Sequence, residues 1–239
     1  MNEQAIKQAL LQQYPYRVEL HAHTAPVSGC SEVSPAELID IYKAQGVDAV
    51  VITNHFTYHE GLDPADYVNT HVAAFEQAKA HAEQYGMQVY LGAEIRFTEN
   101  VNDYLVYGVD RQRLFEIYEY LPYGIERFRR EYAMPDSVFV QAHPKRDRMT
   151  PVDAALLDGV EVLNMHQNHD ARMGLAALFA REKDGMIVTI GSDFHHPHRE
   201  HEAQGLIRVA QLPKDGFALA ELLRSGEYVM EFAREYLVI

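Results

Sequence analysis

The chain has 239 residues, of which 47% are hydrophobic and 23% charged, so it can fill one sizeable core. Its 35 acidic and 21 basic residues give a formal net charge of −14, which excludes a protein that binds nucleic acid through a broadly basic surface. Its apolar runs all fall short of the roughly 18 residues of a membrane span. We therefore expect neither a nucleic acid nor a membrane as partner.

Cysteine usage and the amino terminus bear on the compartment. Cys30 is the only cysteine, which excludes an intrachain disulfide and fits a reducing environment. Residues 1–13 are polar and lack the apolar core of a signal peptide. We expect a cytoplasmic protein. Because linkers, repeats and low-complexity stretches are absent from the sequence, we also expect residues 1–239 to form one domain.

Short apolar runs alternate with helical stretches along the chain. The runs predict seven strands, at 17–20, 49–53, 88–91, 104–107, 137–141, 159–163 and 187–190, with another possible at 206–210. The helices between them are predicted at 34–46, 63–86, in two pieces between 111 and 134, after Thr150-Pro151, at 171–183 and near 217–223. Buried strands separated by helices are typical of a parallel sheet, and seven such units favour a barrel.

Histidines and acids follow five of these strands. The segments are His21-Ala22-His23, Thr53-Asn54-His55, Gly92-Ala93-Glu94, Gln141-Ala142-His143 and Ser192-Asp193-Phe194-His195. The carboxyl ends of the strands of a parallel barrel share one face, so we expect these side chains to meet there. Residues i and i+2 of a strand point the same way, which lets His21 and His23 face one ion. Imidazole and carboxylate ligands together suit Zn, Mn or Fe(II).

The segments resemble, in the same order, the motifs of the PHP (polymerase and histidinol phosphatase) family of metal-dependent phosphoesterases. His21-Ala22-His23-Thr24 is similar to the first motif, and Ala142-His143-Pro144 is similar to the His-Pro motif. The resemblance covers most of the chain and implies an α/β fold of the PHP type, a distorted (β/α)7 TIM-like barrel. It also implies two or three divalent transition-metal ions as cofactors, usually Zn, Mn or Fe.

The resemblance implies eight metal ligands: His21, His23, His55, Glu94, Asp103, His143, Asp193 and His195. In this assignment Glu94 bridges two ions, the first completed by the two leading histidines and Asp193. The second ion is completed by His143 and Asp103. His55 and His195 hold a third ion, or one of them protonates the leaving group when that ion is absent. The candidate catalytic residues are His55, Asp193 and His195.

Three departures from the family pattern bear on this assignment. Asn54 stands where the second motif usually has Asp, although the ligand His55 is kept. The stretch 27–32 lacks the His or Asp that often binds a third ion in the family. A third ion would therefore need Glu32 or Cys30 as a ligand. For Cys30 we expect instead the role of a packed small residue. Asp103 stands where the family often has His, and is either a substitute ligand or an acid in a turn.

A small phosphorylated molecule is the expected substrate. Lys145 and Arg146 directly follow His143 and can grip a phosphate, and His166 follows the sixth strand on the same face. The resemblance implies hydrolysis of a phosphomonoester, such as histidinol phosphate or a nucleotide, by a hydroxide that the ions generate from water. The alternatives are an amidohydrolase-type metal hydrolase, which often uses a modified lysine, and a non-catalytic metal-binding module.

Overall fold

The computed structural model describes residues 2–166, 168–197, 205–233 and 236–238. Its helices are α1 (Glu3–Gln13), α2 (Pro35–Ala44), α3 (Pro64–Ala82), α4 (Arg111–Tyr120), α5 (Ile125–Glu131), α6 (Met173–Phe179) and α7 (Gly216–Ser225). Its strands are β1 (Tyr16–Ala22), β2 (Ala49–Ile52), β3 (His55–Thr57), β4 (Gln88–Arg96), β5 (Asp103–Tyr107), β6 (Val138–Gln141), β7 (Gly159–Asn164), β8 (Ile187–Gly191), β9 (Gly205–Val209), β10 (Tyr228–Phe232) and β11 (Tyr236–Val238). Within these ranges, each helix is either too short or too polar to cross a bilayer.

The strands form one curled sheet in the order β11-β10-β9-β1-β2-β4-β5-β6-β7-β8, and β3 pairs with β4 beside this path. The two sides of the curl meet where Ala22 of β1 forms a parallel bridge with Phe194, just beyond β8. At this seam the backbone N–H of His23 donates to the Phe194 carbonyl oxygen over 3.1 Å. The result is a distorted barrel with helices outside it, as predicted.

The direction of β5 corrects the expectation of a wholly parallel sheet. β5 is antiparallel to both of its neighbours, β4 and β6. The connection explains this, since only residues 97–102 separate β4 from β5, too few for the crossover that parallel neighbours need. Because β5 is reversed, its first residue, Asp103, lies at the same edge of the sheet as the carboxyl ends of β4 and β6.

All seven predicted barrel strands are present, and two of them run at least two residues past their predicted carboxyl ends. β1 continues to Ala22 and β4 continues to Arg96. His21 and Glu94 therefore lie inside strands and not after them. Glu94 is paired on both sides, with His55 of β3 and Leu105 of β5, whereas His21 lies where the register of β1 against β2 shifts, between Glu19 and Ala22.

Most of the predicted helix starts and ends agree with the structure. A capping box between Ser34 and Glu37 opens α2, and the left-handed Gly86 ends the turn after α3. The predicted helix capped at Thr150-Pro151 is wrong. A single 3-10 turn begins there instead, after Asp153, whose side chain accepts the Ala155 N–H.

The core extends through the barrel and into the helical layer outside it. Inside the barrel, Leu20, Val140 and Ile190 are fully buried and belong to one cluster with Leu219 and Leu223 of α7. Strand residues near the amino ends of β1, β2 and β6 share this cluster, so α7 closes that end of the barrel. The opposite end is left for polar residues.

Candidate metal centre

Four side chains converge at the open end of the barrel, from the ends of β1, β4 and β8. His21 Nε2 lies 3.3 Å from Glu94 Oε1 and 3.5 Å from Asp193 Oδ1. His23 Nε2 lies 3.5 Å from Glu94 Oε2 and 3.3 Å from Asp193 Oδ1. These separations are long for hydrogen bonds, but they match the edge of about 3.4 Å in a tetrahedron whose metal–ligand bonds are about 2.0–2.1 Å. The four groups are spaced as ligands of one ion.

The hydrogen bonds of the β1 histidines leave their Nε2 atoms bare. His21 Nδ1 lies 2.8 Å from a Glu161 carboxylate oxygen and donates to it. The Ser28 hydroxyl donates its one proton to Asn54 Oδ1 at 2.9 Å, so His23 Nδ1, 3.2 Å from that hydroxyl, must itself be a donor. Both Nε2 atoms are buried without a hydrogen-bond partner among the described residues. A divalent ion would satisfy both lone pairs.

Glu94 lies between two groups of ligands. Its Oε1 is 3.3 Å from His21 Nε2 and 3.2 Å from His143 Nε2. Its Oε2 is 2.6 Å from His55 Nδ1 and 3.5 Å from His23 Nε2. Each oxygen thus adjoins two imidazole nitrogens, and the bridging role of Glu94 stays a prediction.

Asp103 reaches the same centre, and Arg96 grips it. The Asp103 Oδ2 atom lies 3.9 Å from His143 Nε2, and ligand atoms of Asp103, His55 and Glu94 all lie within 4.8 Å of one another. Arg96 donates from Nε and Nη2 to the two Asp103 oxygens, at 2.7 and 2.8 Å. Asp103 lies in β5 and not in a turn, so its position favours the substitute-ligand reading, with Arg96 as its orienting partner.

A further group faces the solvent side of the centre. Ligand atoms of His23, His55 and His195 lie within 4.8 Å of one another, and the His23 and His195 rings stack with centroids 4.2 Å apart. His195 Nδ1 donates to the Asp193 carbonyl oxygen over 2.8 Å. The Cys30 thiol is exposed and lines the same cavity as His55 and His195. The expectation that Cys30 is a packed small residue is therefore wrong.

The two central carboxylates are held in their ionised form. Burial alone would raise the pKa of Glu94, but the facing His55 and His21 hold it well below its usual value. Burial would likewise raise the pKa of Asp193, but the nearby His21 and His195 hold it well below its usual value. Ionised carboxylates are the form that binds a divalent ion.

The protonation of His23 and Cys30 also suits coordination. Burial lowers the pKa of His23 well below its usual value, and the nearby His195 and His55 lower it further, so this imidazole is neutral. Burial would raise the pKa of the Cys30 thiol, but hydrogen bonds with His195 and His55 lower it to about 6. Neutral imidazole and thiolate are the ligating forms of these two side chains.

Two buried glutamates hold the ligands from behind, and the strand patterns alone did not single them out. Glu161 of β7 accepts from His21 Nδ1 at 2.8 Å and from the His143 backbone N–H at 3.1 Å. Glu19 of β1 accepts the backbone N–H groups of His21 and Ser192, at 2.9 and 3.0 Å. The sequence signal that could have identified them is an acidic residue inside an apolar strand. A buried charged residue almost always has a partner, so its position points to a polar site nearby.

The backbone is strained at two of the predicted ligands. His143 and Asp193 have φ angles of +31° and +52°, in the left-handed region that side chains rarely occupy. Each such residue costs on the order of 1–3 kcal/mol, which the surrounding structure must offset. Close by, Gly191 lets β8 approach β1, since a Cβ there would collide with His21 and Glu161. Three other described non-glycine residues also have positive φ, namely Arg148, Arg172 and Ala233, so the strain is not confined to the ligands, but strained backbone does cluster at functional sites.

A cavity of about 340 Å³ opens above the ligands. It is lined mainly by titratable and polar side chains: Cys30, His55, Glu94, Arg96, Asp103, His143, Arg146, His166, Asn168, His169, Asp193, His195 and His196. The structure thus brings Arg146 and His166, two of the three predicted substrate residues, to the cavity. Arg146 Nη2 lies 3.0 Å from Asp193 Oδ2, and burial lowers the pKa of His166 to about 4. Lys145 is not brought there, since its Nζ lies 3.9 Å from the centroid of the Phe179 ring.

Comparisons with known proteins agree with this geometry. The profile of the PHP domain matches residues 19–201. No curated protein matches the chain. A two-domain protein from Bacteroides vulgatus, which contains a predicted PHP-like metal-dependent phosphoesterase, is similar over 93% of this chain and 66% of its own, with a TM-score of 0.62 and 18% identity. A lesion-specific endonuclease from Pyrococcus furiosus is similar over 88% of this chain and 56% of its own, with a TM-score of 0.55 and 13% identity.

The chain therefore spans only part of the length of both solved proteins, and at such identities the likeness shows the fold. The profile match is more informative, because it extends over most of the chain and includes all eight predicted ligands, from His21 to His195. On the strength of that match, the chain belongs to the PHP domain family.

Proposed function

We propose that the chain is a metal-dependent phosphoesterase that hydrolyses a small phosphomonoester. The observation that carries the proposal is the Glu94 carboxylate, set between two ligand groups on the floor of a polar cavity. Divalent ions bound there would neutralise phosphoryl oxygens and lower the pKa of an attacking water molecule. The PHP domain membership and the likeness to the B. vulgatus protein support this class of reaction.

The residues around the cavity would orient the substrate. Arg146 uses one guanidinium nitrogen to hold Asp193, 3.0 Å away, and because its side chain lines the cavity, its guanidinium would also donate to phosphate oxygens. His166 has a pKa of about 4 and is neutral near pH 7, so it would act as a hydrogen-bonding group and not as a cation. We assign protonation of the leaving oxygen to His55 or His195 when no third ion is held between them.

The size and charge of the site favour a small substrate. A cavity of about 340 Å³ suits a compact monoester, and the formal net charge of −14 disfavours a long polyanion. The P. furiosus neighbour is an endonuclease, so a nucleic-acid substrate is the outcome against which this proposal must be tested.

The cavity also bears on the amidohydrolase alternative. Binuclear amidohydrolases often bridge their ions with a modified lysine, whereas no lysine is present among the described residues that line this cavity. Glu94, whose two oxygens adjoin different imidazoles, would bridge the ions instead. This favours phosphoryl transfer over amide hydrolysis, and it leaves a non-catalytic metal-binding module as the second alternative.

The test is metal analysis combined with hydrolysis assays on the full chain. We expect at least two transition-metal ions per chain and hydrolysis of an aryl phosphate monoester. Hydrolysis should fall to background in His23→Ala and in Asp193→Ala, because each removes a ligand of the buried position. His81→Ala is the matched control, since His81 pairs with Asp40 on the outside of α3 at 2.7 Å.

Three outcomes would contradict the proposal. Cleavage of single-stranded DNA without cleavage of the monoester would indicate a nuclease. Stoichiometric metal without hydrolysis of any phosphate ester would indicate a binding module. Failure to bind metal even after reconstitution would refute the metal centre itself.

A further inference from the structure

The short strand β3 carries His55 to the cavity, and among the described strands it pairs with β4 alone. In that pairing the Glu94 backbone N–H donates to the Asn54 carbonyl oxygen over 3.1 Å. The ladder therefore uses main-chain groups next to His55, and the N–H and carbonyl of His55 itself point away from β4. The N–H donates to the Ser28 hydroxyl oxygen over 3.0 Å, and the carbonyl needs a partner of its own.

Two side chains of α3 line this free edge of β3 in place of a neighbouring strand. Nε2 of His71 lies 2.9 Å from the His55 carbonyl oxygen. The Tyr67 hydroxyl accepts the Thr57 backbone N–H at 3.0 Å and donates to the same His55 oxygen over 3.4 Å. A parallel strand would pair with this carbonyl and this N–H, so α3 completes the edge of β3 with side chains.

The proton of the buried His71 ring can be placed from its surroundings. Burial lowers the pKa of His71, so the ring carries one N–H near pH 7. Its Nδ1 lies 2.9 Å from the Tyr67 carbonyl oxygen, but that oxygen already accepts the His71 backbone N–H inside α3. The His55 oxygen lies outside the β3–β4 ladder, so the proton belongs on Nε2 and His71 donates to His55.

This contact is close enough to the His55 side chain to set its position. The fully buried Phe56 ring packs against the rings of Tyr67 and His71, with centroids 5.2 and 4.9 Å away, which keeps both side chains against β3. On the cavity side, His55 Nδ1 donates to Glu94 Oε2 over 2.6 Å. A shift of the His55 carbonyl would therefore move its imidazole relative to the central carboxylate.

We propose that His71 is a positioning residue for His55, acting by the hydrogen bond that Nε2 donates to the His55 carbonyl oxygen. His71 is not among the described residues that line the cavity, so it reaches the reaction only through His55. The Tyr67 hydroxyl supports the same oxygen from the preceding turn of α3. The inference rests on the function proposed above, in which His55 holds an ion or protonates the leaving oxygen.

The test compares His71→Leu, which removes the N–H, with His71→Gln, which puts an amide N–H where Nε2 stood. With metal at saturation, we expect His71→Leu to lower kcat for an alkyl phosphate monoester by on the order of 10-fold or more, with little change in KM. His71→Gln should keep most of the wild-type kcat. His81→Leu, the same substitution on the outer face of α3, is the matched control and should behave as the wild type.

A second readout does not depend on turnover. In the metal-free chain, the proton between His55 Nδ1 and Glu94 Oε2 should give a downfield ¹H NMR signal, which His55→Gln identifies by removing it. We expect this signal to shift or broaden in His71→Leu and to return in His71→Gln.

An unchanged signal and kcat in His71→Leu would overturn the inference. Equal losses in His71→Leu and His71→Gln would also overturn it, because packing alone would then explain the effect. If His71→Leu does not fold, Tyr67→Phe replaces it. This variant keeps the ring and removes the second donor to the His55 oxygen, so an unmoved signal there would count against the inference. A signal that responds as expected in a chain that hydrolyses no phosphate ester would refute the proposed function alone.

Discussion

At the residue scale, the centre depends on which nitrogen of each histidine carries the proton. Glu161 receives the Nδ1 proton of His21, and the Ser28 hydroxyl receives that of His23, because its own proton is donated to Asn54. In this way Asn54, which replaces the usual acid of the second motif, acts through its acceptor oxygen. The Nε2 atom of each histidine is thereby directed at the same carboxylates.

Replacing Glu161 with glutamine tests this orienting role. The Glu161 carboxylate accepts from His21 Nδ1, the His143 backbone N–H and Asn164 Nδ2. Glutamine has one acceptor oxygen and cannot serve all three donors. We expect Glu161→Gln to weaken metal binding by about 10–100-fold, measured by competition with a chromophoric chelator. Glu76→Gln, on the exposed face of α3, is the control. Equal affinities in Glu161→Gln and wild type would show that Glu161 only fills space.

At the element scale, Glu19 joins three parts of the barrel. It lies in β1, accepts the backbone N–H of Ser192 just beyond β8, and accepts a hydrogen bond of 2.8 Å from the Tyr42 hydroxyl of α2. Burial raises the pKa of Glu19 to about 7, although these hydrogen bonds oppose the rise. The side chain is therefore protonated in the folded chain at pH 5 and largely ionised at pH 8.

This shift predicts a pH dependence of stability. Because the folded pKa of about 7 exceeds the unfolded value of 4.5, the contribution of Glu19 is complete below pH 4.5 and is lost as the pH rises through 7. Between pH 5 and pH 8 the loss is about 2–3 kcal/mol. Glu19→Gln mimics the protonated form and should not show this loss. Urea unfolding of the metal-free wild type and of metal-free Glu19→Gln, each at pH 5 and pH 8, measures this loss. If both proteins lost the same stability between these pH values, the raised pKa of Glu19 would not be its cause.

At the scale of the whole molecule, the ligands come from segments far apart in the chain that only the closed barrel brings together. His21 and Asp193 are separated by most of the chain, yet their ligand atoms lie 3.5 Å apart across the seam between β1 and β8. An ion bound at this seam would link the two sides of the barrel. Because the unfolded chain has no such site, metal binding would add to the free energy of unfolding.

Metal removal should therefore destabilise the whole barrel. An ion present at 100 times its dissociation constant adds about 2.7 kcal/mol per site. For a chain of this length each kcal/mol corresponds to about 2–4 °C in Tm, so a chelator should lower Tm by several degrees. Scanning calorimetry with and without Zn²⁺ measures the change, and His23→Ala should show much less of it. A wild-type Tm that is indifferent to both Zn²⁺ and chelator would contradict a buried ion at the seam.

The sequence by itself determined the α/β barrel, its seven strands and the segments that carry the candidate ligands. These follow from local patterns, since apolar runs, capping boxes and strand-end histidines are visible without knowledge of distant contacts. Only the tertiary structure decided the direction of β5, the turning of Lys145 onto Phe179, and the supporting roles of Glu19 and Glu161. It also decided that Cys30 faces His55 and His195 instead of packing in the core. Each of these depends on residues distant in the chain, and no local pattern records which distant group a side chain will meet.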